Sequence, residues 1–520
     1  MIDKQKNFLK STFGTAFATF ISRILGLVRV MLESRILGGG AIASAWGFAF
    51  TLPNLFRRVL GEGALGTVLI PMLIRHESEK GIETTRKEMG VIFSVLGVIL
   101  ALCVIVVSAI SLVVKSFDVE PHIKIAMSIL PILMPYAFFI CLVGIAQSIL
   151  NTKKVFVIPA YGALILNIFL ISTLGLFCYI KYDAQFLLNT LSVIVIISGV
   201  IHLLLLVILM AYYKILPDFK FRNIAKKPLF KELWNKLLPG IVGASVLQLS
   251  LIVDRCLAVF FLGEEALPAL NYTERIVYLP IGIVALSFGS VLQVNMAKSV
   301  AAKNNQEMIA DLIFGLRHVF FLCVPLTIFI MFFREDIIVT LFYDGNFTLS
   351  NVHATCWAML FYSIGICFFC SLKLVTPLFY SRGDMITPMK SCIVVFVLNV
   401  VLNVILMFPL KQGGLALATA ISGLMNNVIL LWLFNKNVFK FSLKGLIKPI
   451  YKAFAAALIA LNCYWIFCKF DFLGSGQIER FIVLIAEGIV FGIIYLGVSF
   501  MVKNHELSEL VNLLLKRKKS

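Results

Sequence analysis

The stretch that decides the fold covers residues 21–72 and reads ISRILGLVRV MLESRILGGG AIASAWGFAF TLPNLFRRVL GEGALGTVLI PM. It includes most of two apolar segments that nevertheless carry five arginines, namely Arg23, Arg29, Arg35, Arg57 and Arg58. An arginine at the centre of a membrane helix costs at least about 2.5 kcal/mol on insertion scales, so such residues usually face a bundle interior or a water-filled cavity. Only Glu33 and Glu62 lie nearby as carboxylate partners. The stretch therefore predicts a positively charged cavity within a membrane, which suits an anionic substrate.

Composition identifies the class of protein. The chain has 520 residues, of which 60% are hydrophobic and 14% charged, and its mean hydropathy is +0.98. Apolar runs of about 18–20 residues, the length that spans a bilayer, recur from end to end. We therefore predict an all-α polytopic membrane protein with about fourteen transmembrane helices. Their predicted bounds are 8–36, 41–61, 88–115, 124–150, 157–180, 186–213, 232–262, 269–299, 310–333, 352–380, 386–409, 414–435, 447–469 and 480–502.

The net charge of +19 follows the pattern of membrane topology. Lys and Arg gather in alternate loops, for example at 75–87, 214–236 and 436–452, and in the tail at 516–519. Such an excess marks cytoplasmic loops. With an even number of spans, the pattern predicts that both termini are cytoplasmic. The basic charge is therefore interpreted as topology, and no nucleic-acid partner is expected.

Two short similarities indicate an internal repeat. The motif Asn54-x-x-x-Arg58 recurs as Asn271-x-x-x-Arg275, and the segment 151–159 resembles the segment 380–388. About six spans separate the members of each pair, as in parallel repeats related by an axis along the membrane normal. We predict two six-helix lobes in a parallel pseudo-twofold repeat plus two C-terminal helices. The predicted domains are an N-lobe at 1–222, a C-lobe at 223–440, and a C-terminal helix pair with a basic tail at 441–520.

The intramembrane charges concentrate in the first two spans of each half. The second half contributes Asp254, Arg255, Glu274 and Arg275. If the two lobes face each other across a cleft, both sets converge there, and arginine suits a diphosphate because its planar fork binds phosphate oxygens in bidentate fashion. The alternative is that these arginines reach headgroups or hold loops by salt bridges. Glu33 lies four residues after Arg29 and is expected to pair with it, whereas Glu274 and Arg275 are expected to line the cleft as neighbours.

A second set of polar residues suits a small cation. Asp254 in span 7, Asn399 and Asn403 one turn apart in span 11, and Thr419 in span 12 offer one carboxylate and several neutral oxygens. Such a set favours a hard monovalent cation such as sodium. An equally good interpretation has Asp254 neutralised by Arg255 or by a proton, with the asparagines bonding between helices.

The sequence gives no indication of an enzyme or of a bound cofactor. No Gly-rich nucleotide loop follows a strand, so ATP hydrolysis is not expected. The histidines do not cluster with other metal ligands, and the cysteines are scattered through apolar segments, so neither a metal centre nor disulfides are predicted. The one small ligand that the sequence leaves open is a coupling ion, either sodium or a proton.

Several motifs resemble the MurJ (MviN) family of lipid II flippases, within the multidrug/oligosaccharidyl-lipid/polysaccharide exporter superfamily. They are Ser22-Arg-Ile-Leu-Gly-Leu-Val-Arg29, Leu52-Pro-Asn-Leu-Phe-Arg-Arg58 with Gly61-Glu-Gly-Ala64, Glu274-Arg275, Phe379-Tyr-Ser-Arg382 with Thr387-Pro388, and Pro409-Leu-Lys-x-Gly-Gly-Leu415. The resemblance implies fourteen helices in two lobes, with the last pair forming a groove for the lipid tail. It also implies export of undecaprenyl-diphosphate-linked peptidoglycan precursor (lipid II) from the inner to the outer leaflet of the bacterial cytoplasmic membrane.

The resemblance also assigns site residues. The family's essential cavity arginines correspond to Arg23, Arg29, Arg57 and Arg275, although the repeat favours Arg58 over Arg57, so both stay candidates. The sodium site of some relatives is similar to the set Asp254, Asn399, Asn403 and Thr419.

Three positions depart from the family pattern. Val30, Ser44 and Thr51 stand where the family commonly has an acid, an acid and a lysine. The salt-bridge gate between the lobes is therefore expected either to use Glu33, Glu62 or Glu274 as its acidic partners or to be weaker.

The sequence thus predicts an alternating-access lipid II flippase that is not an enzyme, with lipid II, membrane lipids and cell-wall synthesis proteins as partners. One alternative is another polyprenyl-linked polysaccharide flippase or a cation-coupled multidrug exporter of the same superfamily; a drug exporter should have an acidic cavity. A second alternative is a non-transporting cell-wall scaffold, which would have no need of intramembrane arginines.

Overall fold

The chain is helical throughout the part that the computed structural model describes, which comprises residues 21–59, 65–153, 155, 157–218, 248–467 and 476–509. We number seventeen helices within these ranges. They are α1 (21–37), α2 (Ala41–Phe56), α3 (Leu65–Lys115), α4 (Pro121–Leu133), α5 (Pro135–Thr152), α6 (Val157–Phe177), α7 (Ala184–Tyr212), α8 (248–261), α9 (Ala266–Ala301), α10 (Asn305–Phe332), α11 (Arg334–Phe342), α12 (Leu349–Ile364), α13 (Ile366–Tyr380), α14 (Ile386–Leu410), α15 (Gln412–Asn437), α16 (Lys444–Phe467) and α17 (Gln477–Met501).

Ten helical segments among the described residues are long and apolar enough to cross a membrane. This confirms the prediction of an all-α polytopic membrane protein. Residues 1–20, 60–64 and 219–247 lie outside the described part of the chain and overlap three predicted spans, so the count of fourteen stays a prediction.

Two compact units account for the tertiary contacts. The first comprises Met1–Leu267 together with Gly345–Phe347, and the second comprises Pro268–Asp344 and Thr348–Ser520. Helices α1 to α8 therefore belong to the first unit and nearly all of α9 to α17 to the second. The domain bounds at 222 and 440 that the repeat predicts stay a prediction.

Two predicted spans contain breaks whose causes are visible in the sequence, and a third helix begins earlier than its predicted span. The span at 124–150 is divided at Met134, between Pro131 and Pro135, each of which removes a backbone donor from the helix. The span at 352–380 is divided at Gly365 into α12 and α13. Helix α3 begins well before the predicted residue 88, and its direction changes at Gly81, whose φ of +77° is accessible mainly to glycine.

The core of the first unit is built where α3, α4, α5 and α7 pack together. Tyr136 on α5 is 2% exposed and lies against Gly199 of α7, where a Cβ atom would come within 2.8 Å of the tyrosine ring. The missing side chain therefore allows a large aromatic ring into the interior of the bundle. The same ring supports the arginine site described below.

The second unit buries polar side chains between α13, α14 and α15. The Ser391 hydroxyl donates to Asn426 Oδ1 over 2.7 Å, and the Ser371 hydroxyl contacts Asn427 Oδ1 at 3.0 Å. The Asn427 amide in turn donates to the Phe368 carbonyl on α13 over 2.9 Å. Because these groups find partners on neighbouring helices, the polar atoms are satisfied in an otherwise apolar environment.

Candidate substrate-binding site

Arg29 is the most deeply placed of the predicted site arginines. It is 5% exposed on α1, and its Nε atom lies 3.4 Å from Glu33 Oε1, one helical turn later. The guanidinium carbon lies 5.9 Å from the centroid of the Phe50 ring on α2. The predicted Arg29–Glu33 pair is therefore confirmed. Among the described residues, the Nε group makes this ion-pair contact with Glu33 but no hydrogen bond of good geometry.

An aromatic column fixes the ring beneath Arg29. Phe50 stacks on Trp46 at a centroid distance of 5.5 Å and on Tyr136 at 6.5 Å. A cation over an aromatic face gains about 0.5–2 kcal/mol, with the larger value where water is excluded. The column therefore both positions Arg29 and lowers the cost of keeping its charge within the membrane.

Arg57 is connected to Phe50 through the side chain of Asn54. Its Nε atom donates to Asn54 Oδ1 over 3.2 Å, and the Asn54 amide donates to the Phe50 carbonyl over 3.1 Å. The arginine lies in a widened, π-helical turn at 57–59 that also holds Arg58, and such turns are frequent at functional sites. The sequence repeat favours Arg58, whereas the contact with Asn54 involves Arg57. Both residues are partly exposed, and both stay candidates.

The remaining arginines of α1 are more accessible. Arg23 and Arg35 are exposed. At the end of the helix, the Asn346 backbone donates to the Arg35 carbonyl over 2.9 Å, and the Asn346 amide donates to the Ile36 carbonyl over 2.6 Å. These bonds satisfy two of the carbonyls that a helix end leaves open. The predicted partner Glu62 lies outside the described residues.

Arg255, one of the intramembrane charges noted in the sequence, makes a contact that the sequence did not predict. It lies on α8 and is partly exposed, and its Nη1 atom donates to Thr51 Oγ1 on α2 over 2.6 Å. The Thr51 hydroxyl donates to the Gly47 carbonyl over 2.7 Å, so it accepts from Arg255 with a lone pair. Thr51 stands where the family resemblance leads us to expect a lysine. The guanidinium of Arg255 therefore places a positive charge beside a position that lacks its own.

The other two departures also have a physical basis. Val30 is 3% exposed and packs in the interior of the first unit, where a carboxylate would be desolvated. Glu33 keeps more of its side chain accessible, at 13%, while still reaching Arg29. Ser44 is fully buried, and its hydroxyl finds no hydrogen-bond partner among the described residues. The acidic function expected at positions 30 and 44 is therefore absent there, and Glu33 provides the carboxylate nearest to Arg29.

In the second unit, α9 presents the predicted site residues of the other half of the sequence. Arg275 is exposed, Glu274 is partly buried, and Tyr278, three residues after Arg275, is 41% exposed. Arg275 and Tyr278 lie on one helix face. This face is the counterpart in the second unit of the arginine site on α1 and α2.

The predicted cation ligands are distributed between the units. Asp254 lies on α8 of the first unit. Asn399 and Asn403 are 1% and 0% exposed on α14 of the second, and the Asn403 amide donates to Asn399 Oδ1 over 3.1 Å. The Thr419 hydroxyl donates to the Leu415 carbonyl over 3.0 Å. Neutral amide and hydroxyl oxygens with one carboxylate suit sodium, and the sodium site stays a prediction.

Comparison with known proteins places this arrangement in a family. The profile described as lipid II flippase MurJ matches residues 34–481. A probable lipid II flippase MurJ of Buchnera aphidicola subsp. Baizongia pistaciae is 31% identical over 88% of this chain and 89% of the relative. A lipid II flippase MurJ of Burkholderia cenocepacia is 27% identical over 95% of this chain and 97% of the relative.

Solved structures are similar in fold. A lipid II flippase MurJ in an inward closed conformation superposes with a TM-score of 0.78 at 24% identity and covers 94% of this chain and 98% of its own. An inward-facing multidrug resistance MATE transporter of the MOP superfamily gives a TM-score of 0.64 at 14% identity and covers 79% of this chain and 93% of its own. Because the profile spans most of the sequence and the fold agrees, the chain belongs to the lipid II flippase MurJ family.

Proposed function

We propose that this protein is a lipid II flippase that moves undecaprenyl-diphosphate-linked peptidoglycan precursor from the inner to the outer leaflet by alternating access. The observation that carries the proposal is Arg29, a buried intramembrane arginine whose one ion pair among the described residues is with Glu33, in a chain of this family. Ionisable residues inside a membrane usually face a cavity and mark a substrate pathway.

The arginines supply the chemistry of capture. A guanidinium remains protonated and offers a fork of donors that matches phosphate oxygens. Arg29 and Arg57 are linked through Phe50 and Asn54, so they are held in a defined relation before the substrate arrives. Arg23, Arg255 and Arg275 add positive charge, and Glu33, Glu62 and Glu274 are the acidic groups that would take over the arginines when the anion leaves.

The membrane potential favours the outward step. Moving one elementary charge across the membrane changes the free energy by about 2.3 kcal/mol per 100 mV. With the inside negative, an anionic headgroup is driven outward. Sodium or proton binding at Asp254 and its predicted partners would then favour return of the empty carrier, and no other cofactor is required.

We also propose a location and a membrane topology for the protein. The protein lies in the bacterial cytoplasmic membrane with both termini in the cytoplasm, and it catalyses no covalent reaction. Membrane lipids contact its apolar faces. Its proposed protein partners are the cell-wall synthesis proteins that use lipid II at the outer face of the membrane.

The other functions fit the site less well. A cation-coupled drug exporter needs an acidic cavity for cationic drugs, whereas the described site contains more arginine than carboxylate. A scaffold for cell-wall enzymes has no use for a buried arginine within the membrane. A flippase for another polyprenyl-linked polysaccharide shares the diphosphate and is distinguished by its headgroup.

Complementation tests the proposal. In cells depleted of their own lipid II flippase, we expect this chain to restore growth and outer-leaflet lipid II, and Arg29→Ala to abolish both at equal protein level. The matched control is Arg75→Ala, which removes an arginine of the exposed Arg75–Glu79 pair on α3 and should complement fully. Restored growth without restored outer-leaflet lipid II would overturn the assignment.

A further inference from the structure

Lys373 is a charged residue within a membrane segment, seven residues before its end, and the predicted site does not use it. It lies on α13, within the apolar stretch Leu349–Tyr380, and its side chain is exposed. Most other side chains of α13 are buried, and only Tyr380, two turns later, is also exposed. Lys373 therefore opens onto a narrow accessible strip of an otherwise enclosed helix.

The strip has the composition of a water-facing surface. Phe369, Lys373, Thr376 and Tyr380 follow one another at spacings of four, three and four, so they lie on one helix face. The exposed face of α14 is instead aliphatic, with Val394, Val397, Val401, Val404 and Ile405, as expected for a surface in contact with lipid. A lysine, a threonine and a tyrosine in that position on α13 indicate contact with water.

The strip lies beside α9, the helix that carries Arg275. At Gly289 of α9, a Cβ atom would lie 3.3 Å from the Lys373 carbonyl oxygen and 4.0 Å from the Lys373 Cβ atom. One turn earlier on α13, Phe369 stacks on Tyr278 of α9 with centroids 6.2 Å apart and the rings 12° from parallel. Lys373 and the exposed Arg275–Tyr278 face therefore border the same side of the second unit.

Lys373 has no charged partner in the described part of the chain. Among the described residues, none forms an ion pair or a hydrogen bond with its ammonium group. Lysine presents a compact point charge with three donors, which suits a carboxylate or a phosphate. An ionisable residue within a membrane segment that faces water is typical of a substrate pathway, and an anionic group of the substrate is the matching ligand for a lysine.

The spacing between the two cations selects the anion. Fourteen residues of α9 separate Arg275 from Gly289, which corresponds to about 21 Å at a rise of about 1.5 Å per residue. A pentapeptide spans at most about 17 Å when extended, and the sugar that joins it to the diphosphate adds several more. A headgroup held by its diphosphate at Arg275 therefore brings the carboxylates of its peptide to Lys373.

We infer that Lys373 binds a carboxylate of the peptide carried by the substrate and so contributes to headgroup selection. The inference rests on the proposed function, because it takes the substrate to be a lipid-linked disaccharide peptide. Lys373 thereby contacts the peptide end of the headgroup, whereas the arginines contact the diphosphate end. The arginines thus recognise a feature common to polyprenyl diphosphates, and Lys373 recognises one specific to the peptide.

A binding cycle tests the inference. The affinity of the purified protein is measured for lipid II and for the same lipid with its peptide carboxylates amidated, in the wild type and in Lys373→Gln. We expect either change alone to weaken binding by about tenfold, the loss typical of one hydrogen bond to a charged group. Amidation should then cause no further loss in Lys373→Gln, and Lys373→Arg should retain most of the affinity.

The controls separate the two levels of the proposal. Lys390→Gln removes an exposed lysine near the start of α14 and should leave both affinities unchanged. Independent, additive losses from amidation and from Lys373→Gln, or no loss in Lys373→Gln, would overturn the role of Lys373. A wild-type protein that binds neither lipid would instead overturn the proposed function. If Lys373→Gln binds the amidated lipid as tightly as the wild type does, the variant is folded.

Discussion

At the scale of single residues, the site depends on how buried arginines acquire partners. The spacing of Arg29 and Glu33 predicts their contact, because residues four apart share a helix face, and the structure confirms it. The contact between Arg255 and Thr51 joins residues 204 positions apart, and no local pattern predicts it. The sequence contains only an indirect signal for this contact, namely the absence of the expected lysine at position 51 together with an intramembrane arginine at position 255.

This contact predicts a compensating pair of substitutions. Thr51→Lys should lower lipid II export by about tenfold or more, because it removes the acceptor of Arg255 and sets a second cation beside it. Thr51→Lys combined with Arg255→Gln should recover most of the activity, since one positive charge is again present. Outer-leaflet lipid II in flippase-depleted cells is the measurement. A double variant as inactive as Thr51→Lys would show that Arg255 does not replace the missing lysine.

At the scale of helices, glycine and proline decide where the predicted spans differ from the observed ones. The breaks at Met134 and Gly365 coincide with proline and glycine residues, which interrupt helices, although both lie inside single predicted spans. The sequence therefore shows which residues permit a break but not which breaks form. Gly199 is a further example, because its importance comes from Tyr136 of another helix.

Gly199 therefore provides a test of the aromatic support beneath Arg29. Gly199→Ala places a methyl group within 2.8 Å of the Tyr136 ring, and overpacking of this kind costs typically about 1–3 kcal/mol. We expect a lower melting temperature and a loss of export, because Tyr136 stacks on Phe50.

The matched control for that substitution is Gly175→Ala on α6. A Cβ atom there meets no other atom within 4 Å, so the substitution should leave stability unchanged or raise it by about 1 kcal/mol. Thermal unfolding of the detergent-solubilised protein followed by tryptophan fluorescence provides the measurement. Equal melting temperatures for the two variants would show that the Gly199–Tyr136 contact is not critical.

At the scale of the molecule, the membrane class, the helical fold and the family follow from the sequence, because hydropathy and charge distribution are properties of whole segments. The placement of individual arginines does not follow in the same way. Arg29 is buried and Arg23 exposed on the same helix, although both interrupt apolar sequence. The role of Lys373 does not follow from the sequence either, because a single lysine in an apolar run forms no motif.

The central claim is that intramembrane arginines capture the anionic headgroup of lipid II for export. The most direct measurement is the initial rate of outward lipid II movement in reconstituted vesicles with an inside-negative potential, compared between the wild type, Arg29→Ala and Arg275→Ala at equal protein content. We predict that each variant lowers the rate by at least about tenfold, since each removes charge-assisted hydrogen bonds to the diphosphate. Wild-type rates in both variants would contradict the account.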